Sequence, residues 1–119
     1  MNKISKAEFE YCKQKHWELW DWVAKHPDEI RYSWFDENKI QYVHNGCFAC
    51  HIAGKITGGD NICRCCPITA DGAEDCCDTL FETYIWARDE ENAIKTSHLA
   101  EQIRDLPWDK NNILDYVED

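Results

Sequence analysis

A small, mainly α-helical single domain, interrupted by an irregular cysteine-rich segment, is the fold class this 119-residue sequence predicts. Three observations predict it. Apolar residues recur at steps of three and four in both flanks, the pattern of helices with one buried face. Seven of the eight cysteines fall between residues 47 and 77, where no such period runs. The length suits one domain, residues 1–119, because two would each be marginal. A 44% hydrophobic and 13% aromatic content supplies a core that a disordered chain lacks.

The first element is a helix over residues 5–26. Ser5 and Glu8 form a capping box, in which the hydroxyl accepts a free backbone N–H and the carboxylate reaches back. Phe9, Cys12, His16, Trp20 and Val23 then make one face, with Trp17 and Ala24 widening it. This spacing puts Trp17 and Trp20 in the core and leaves Trp22 off the face as a contact surface. Pro27 ends the helix. A helical turn is expected over 28–35 and a short extended piece over 40–46, closed by the turn pair Asn45-Gly46.

Cys47-Phe48-Ala49-Cys50 and Cys63-Arg64-Cys65-Cys66 are two Cys-x-x-Cys pairs, the second followed by Pro67. The insert between them, residues 51–62, holds Gly54, Gly58 and Gly59 and reads as a loop. An irregular stretch then leads to Cys76-Cys77. An even cysteine count suits disulfides in a secreted chain. The N-terminus shows no signal-peptide core and no apolar run reaches the ~20 residues of a membrane span, so a cytoplasmic site and reduced thiols are expected. Two thiolates on each of two tight turns converge on one ion, which makes residues 44–77 a metal-binding segment with one closed, structural zinc. Its candidate ligands are Cys47, Cys50, Cys63, Cys66, Cys76 and Cys77. Cys65 is an alternative ligand, and His44 and His51 flank the first pair as substitutes. Cys12, alone on its helix, reads as a small buried hydrophobe. Cys66-Pro67 also leaves an iron–sulfur cluster as the alternative cofactor.

Residues 78–106 read as two helices. Asp78 is the N-cap of the first, with Leu80, Phe81, Tyr84, Ile85 and Ala87 behind it. The second runs over 90–106 with Ile94, Leu99 and Ile103 as its stripe, and Pro107 stops it. The acidic tail, 107–119, docks through Trp108, Ile113, Leu114 and Tyr116 or frays.

The order of these features resembles a group of short cysteine-rich proteins of bacteriophages and prophages. The likeness spans residues 17–106, from Leu19-Trp20-Asp21-Trp22-Val23 and the turn at Pro27 through the two pairs, Pro67-Ile68 and a later cysteine to Tyr84, Trp86 and Ala87. It implies a phage source and host cytoplasm, a bound metal, and a ligand or neighbouring role for Cys76 or Cys77. The extra Cys65 and the Cys76-Cys77 doublet depart from the pattern. No activity comes with the group.

Charge narrows the function. Residues 1–70 carry nine acidic and nine basic residues; residues 71–119 carry 14 acidic and four basic, so the whole net charge of -10 sits in the second part. A general nucleic-acid binder needs a basic face, which this chain lacks. The expected role is binding a protein partner with a basic surface, through the acidic helices that carry Asp89, Glu90 and Glu91. A narrower form is an acidic, nucleic-acid-like inhibitor of a host enzyme. Trp22 and Trp34 are further contact candidates. An enzyme is the less favoured class. Lys55-Ile56-Thr57-Gly58-Gly59 lacks the phosphate-loop order, and His98 with Glu101 lacks the second histidine of a metallopeptidase. A nuclease based on His44, or a thiol redox enzyme using Cys65 or Cys77, are the remaining alternatives.

Overall fold

The computed structural model describes residues 2–43, 46–59, 67–68, 78–108, 113 and 116–118. Among these it is mainly helical, with the order β1 (Ile4–Ser5), α1 (Lys6–Lys25), α2 (Tyr32–Glu37), α3 (Phe48–Thr57), α4 (Asp78–Asp89), α5 (Ala93–Arg104) and β2 (Val117–Glu118). The chain divides into two compact units. One comprises residues 1–16, 43–76 and 107–119; the other comprises 17–42 and 77–106.

In the first unit, the Ser5 half of the expected capping box starts α1, while the Glu8 side chain turns to Lys55. Ser5 Oγ accepts the Glu8 N–H at 3.1 Å, supplying a partner that the first helical turn lacks internally. The Glu8 carboxylate meets the Lys55 ammonium. Phe9, Cys12 and His16 are all buried, which fixes the inward face of this half of α1. The tail docks. Val117 pairs in parallel with Ile4, Ile113 is buried, and the Trp108 ring lies 5.7 Å from Phe9 and 5.4 Å from His16.

The segment expected to be a loop over 51–62 is instead helical as far as Thr57. Phe48, Ala49, Ile52, Ala53 and Ile56 recur at helical spacing and are all buried. Removing Ile52 and Ile56 from water favours folding by about 1.5–3 kcal/mol each. That outweighs one helical glycine, Gly54, at about 0.5–1 kcal/mol. The helix stops at Gly58, whose φ of +75° is left-handed and open to glycine without strain. Asn2 closes this end, donating its backbone N–H to Ile56 O at 2.8 Å and its side-chain amide to Lys55 O at 3.1 Å.

In the second unit, the rest of α1 buries Leu19, Trp20, Val23 and Ala24. The Trp20 ring meets Tyr84 edge-on at 5.1 Å and Phe81 at 5.9 Å. Ser97 of α5 donates its hydroxyl to the Ala24 carbonyl. Arg31 is buried with its guanidinium over the Tyr32 and Phe81 rings at 4.7 and 4.9 Å. Helix α2 occupies residues 32–37 rather than 28–35, and residues 40–43 form no strand. Tyr42 donates its hydroxyl to Asp36 Oδ1 at 2.8 Å.

Several expected core and surface positions change places here. Trp17 is 47% exposed, because it lies under the Arg104 guanidinium at 5.4 Å instead of inside. Trp34 is 4% exposed and packs edge-on against Phe35, so it is a core residue and no contact surface. Trp22 is half-buried and stacks on His26. Ile94 is 77% exposed; the inward face of α5 is Thr96, Leu99, Ala100 and Ile103. The second C-terminal helix starts at Ala93, not at residue 90, because the Asn92 side chain caps it by accepting the Lys95 N–H at 3.1 Å.

Residues 89–92 form a Schellman turn. The Asn92 N–H bonds to Ala87 O and the Glu91 N–H to Arg88 O, with Glu91 at a left-handed φ of 59°. Helix α2 ends the same way, with Ile40 N–H to Phe35 O, Lys39 N–H to Asp36 O and Lys39 at φ 54°. Asp89 and Glu90 therefore terminate α4, while Asn92 starts α5.

Candidate metal centre

Helix α3 supplies the first half of the expected metal site. Its five buried apolar residues hold the helix inward. Cys47 is the N-cap, in extended backbone at φ -118° and ψ 108°, and its Sγ accepts the Cys50 N–H at 3.2 Å. Position and sulfur charge state are linked. A thiolate accepts an N–H more strongly than a thiol does, and the positive end of the helix favours it further. A metal-bound cysteine is a thiolate. Cys47 and Cys50 lie three residues apart across the first helical turn, both half-buried.

The surroundings sort the remaining candidates. Cys12 is 2% exposed, and burial, with Glu8 adding to it, pushes its thiol up to about 12. It stays neutral and is a core hydrophobe, as its place on the helix suggested. His51 is held below its ordinary value by burial and then by the nearby Lys55 ammonium, with Glu8 opposing. That direction favours the neutral imidazole a ligand needs, yet its Nε2 lies 3.8 Å from Glu8 Oε1. Among the described residues, no three histidines, cysteines or acids converge as a metal-holding group. His51 thus does not join Cys47 and Cys50 in one.

Cys63, Cys65, Cys66, Cys76, Cys77 and His44 lie outside the described residues, as do Asn45 and Leu114. The pair that follows Cys66 is described. Pro67 and Ile68 are both buried in the same unit as α3, so the chain is anchored in that core directly after the second cysteine pair. The donor set fits zinc. Two thiols stand on the first turn of α3, one of them already accepting an N–H, and the sequence supplies five further thiols between residues 63 and 77.

Other residues named for function stand apart. His98 and Glu101 are exposed on α5. Lys55 is engaged with Glu8, and residues 55–59 finish a helix rather than cradle a phosphate. Asp89, Glu90 and Glu91 are exposed at the α4–α5 junction, with Asp89 3.8 Å from Arg88. In the second unit Arg88 and Glu91, together with Asp28 and Thr96, line a cavity of about 440 Å³. These residues come from three separate segments and carry no shared spacing, so nothing in the order of residues marks them as a group. No described helix is long and apolar enough to cross a membrane. The chain matches no protein-family profile, no curated protein and no solved structure.

Proposed function

We propose that the chain is a small zinc-stabilised accessory protein, of the phage type its cysteine order resembles, that acts by binding a protein partner. One observation carries the metal half of this reading: Cys47 caps α3 and its sulfur accepts the Cys50 N–H. This arrangement prepares two sulfurs for a cation on a rigid helix start. Two further sulfurs, drawn from Cys63, Cys66 and Cys76 or Cys77, complete the set of four. Four thiolates leave no open position for a substrate, so the ion holds the fold and does no chemistry. The partner half rests on the exposed Asp89 and Glu90 within the acidic second part of the chain. They suit a basic protein surface, with charge speeding encounter.

Cobalt replacement tests the reading. Co²⁺ in a four-sulfur tetrahedral site gives intense visible bands and a sulfur-to-metal charge-transfer band, and zinc abolishes both by displacement. Loss of these bands in Cys50→Ser supports the assignment. A spectrum of six-coordinate cobalt, or a Cys47–Cys50 disulfide in freshly purified protein, would replace it with a dithiol redox reading. For the partner, capture from a bacterial lysate should weaken in Asp89→Asn/Glu90→Gln, more at low salt than at high.

A further inference from the structure

The cavity of about 440 Å³ in the second unit has the size of a small-molecule site, within the usual range of about 300–1,000 Å³. Every residue that lines it belongs to this unit, and none is a candidate metal ligand. Its lining is chemically divided. Arg88 supplies a guanidinium, and Ala93 brings the start of α5. Asn92 takes the N–H groups of Lys95 and Thr96, which leaves those of Ala93 and Ile94 without a helical acceptor. Together with the helix dipole these groups suit an anion. Asp28 and Glu91 also line the cavity and suit a cation. Pro27 and Ile30, with the Ala93 methyl, provide an apolar wall.

Thr96 adds an unfilled hydrogen bond. It is 1% exposed and lines this cavity, and its Oγ1 has no hydrogen-bond partner among the described residues. A buried hydroxyl without a partner is costly and rare. A ligand in the cavity that Thr96 lines would supply that partner.

A simple anion here meets two carboxylates, and a simple cation meets Arg88 and the helix start. A zwitterion satisfies both sets at once. We propose that this cavity binds a free aliphatic α-amino acid. Its carboxylate lies on Arg88, the α5 N–H groups and the Thr96 hydroxyl; its ammonium lies between Asp28 and Glu91; its side chain rests on Pro27 and Ile30.

Isothermal titration of the full chain with L-leucine at neutral pH tests this, beside N-acetyl-leucine, which lacks the ammonium, and isoamylamine, which lacks the carboxylate. The expected result is saturable binding of leucine, with each analogue weaker by at least about tenfold, the worth of a hydrogen bond to a charged group. Arg88→Gln should weaken leucine by a similar factor. Thr96→Val keeps the side-chain shape, removes the unpartnered hydroxyl, and should weaken leucine while leaving the thermal midpoint equal or higher. No saturable heat up to about 10 mM leucine would overturn the proposal. So would equal binding of either analogue, or full leucine affinity in Thr96→Val.

Discussion

Arg104 donates from Nη1 to Asp21 Oδ1 at 3.0 Å, joining α5 to α1 across 83 residues of sequence. The same guanidinium bonds Asp105 through Nε at 2.8 Å and covers the Trp17 ring. It holds in place a tryptophan that a helical-stripe argument sends to the core. Lys25 first, and Arg104 with it, keep the Asp21 carboxyl below its usual range. A carboxyl lowered in the folded state stabilises above its unfolded value, and that contribution fades as pH falls through the folded one. The pair is near the surface, so Asp21→Asn should cost only a few tenths to about 1 kcal/mol at neutral pH. Urea unfolding should show the two proteins converging as pH falls below the ordinary carboxylate range.

Helix α3 is held by its apolar face, so its helicity should not depend wholly on metal. Ile52→Ala should cost about 2–5 kcal/mol through the cavity it leaves. Gly54 has open space where a Cβ would stand, so Gly54→Ala should add about 0.5–1 kcal/mol. Denaturant unfolding in the presence of a chelator checks both signs without the contribution of an ion.

Lys39 occupies a left-handed backbone position that favours glycine. Lys39→Gly should therefore raise stability by a few tenths to about 1 kcal/mol, and Lys39→Val should lower it. Thermal unfolding of the two variants reads the difference in sign.

The Cys12 thiol, pushed up to about 12 by burial, should resist iodoacetamide at about pH 8 in the folded protein and react on unfolding. Mass mapping of the alkylated peptides measures this. Early labelling of Cys12 would show that the first half of α1 is not packed as described.

Much of the fold was legible in the residues. Ser5 and the period from Phe9 to Val23 announced α1, and Pro107 bounded the C-terminal helices. The errors share a cause. In residues 47–57 two cysteines and a glycine carry the signature of a turn, while Phe48, Ile52 and Ile56 carry an equally regular helical period. Ile94 fits a stripe by spacing, but Asn92 caps α5 and Thr96 takes the inward place. The Trp17 and Trp34 exchange arises because a helical period gives a face and not the partner that covers it. On the candidate site, the pair Cys47 and Cys50 was readable from spacing alone. The N-cap role of Cys47 needed the helix behind it.

Zinc stoichiometry of the purified chain and of Cys47→Ser, by elemental analysis under reducing conditions, tests the central claim most directly. The account predicts one zinc per parent chain, loss of tight zinc in the variant, and a lower thermal midpoint for the parent once a chelator has removed the ion. A folded parent without zinc, or a Cys47→Ser protein that keeps its full zinc, would contradict it.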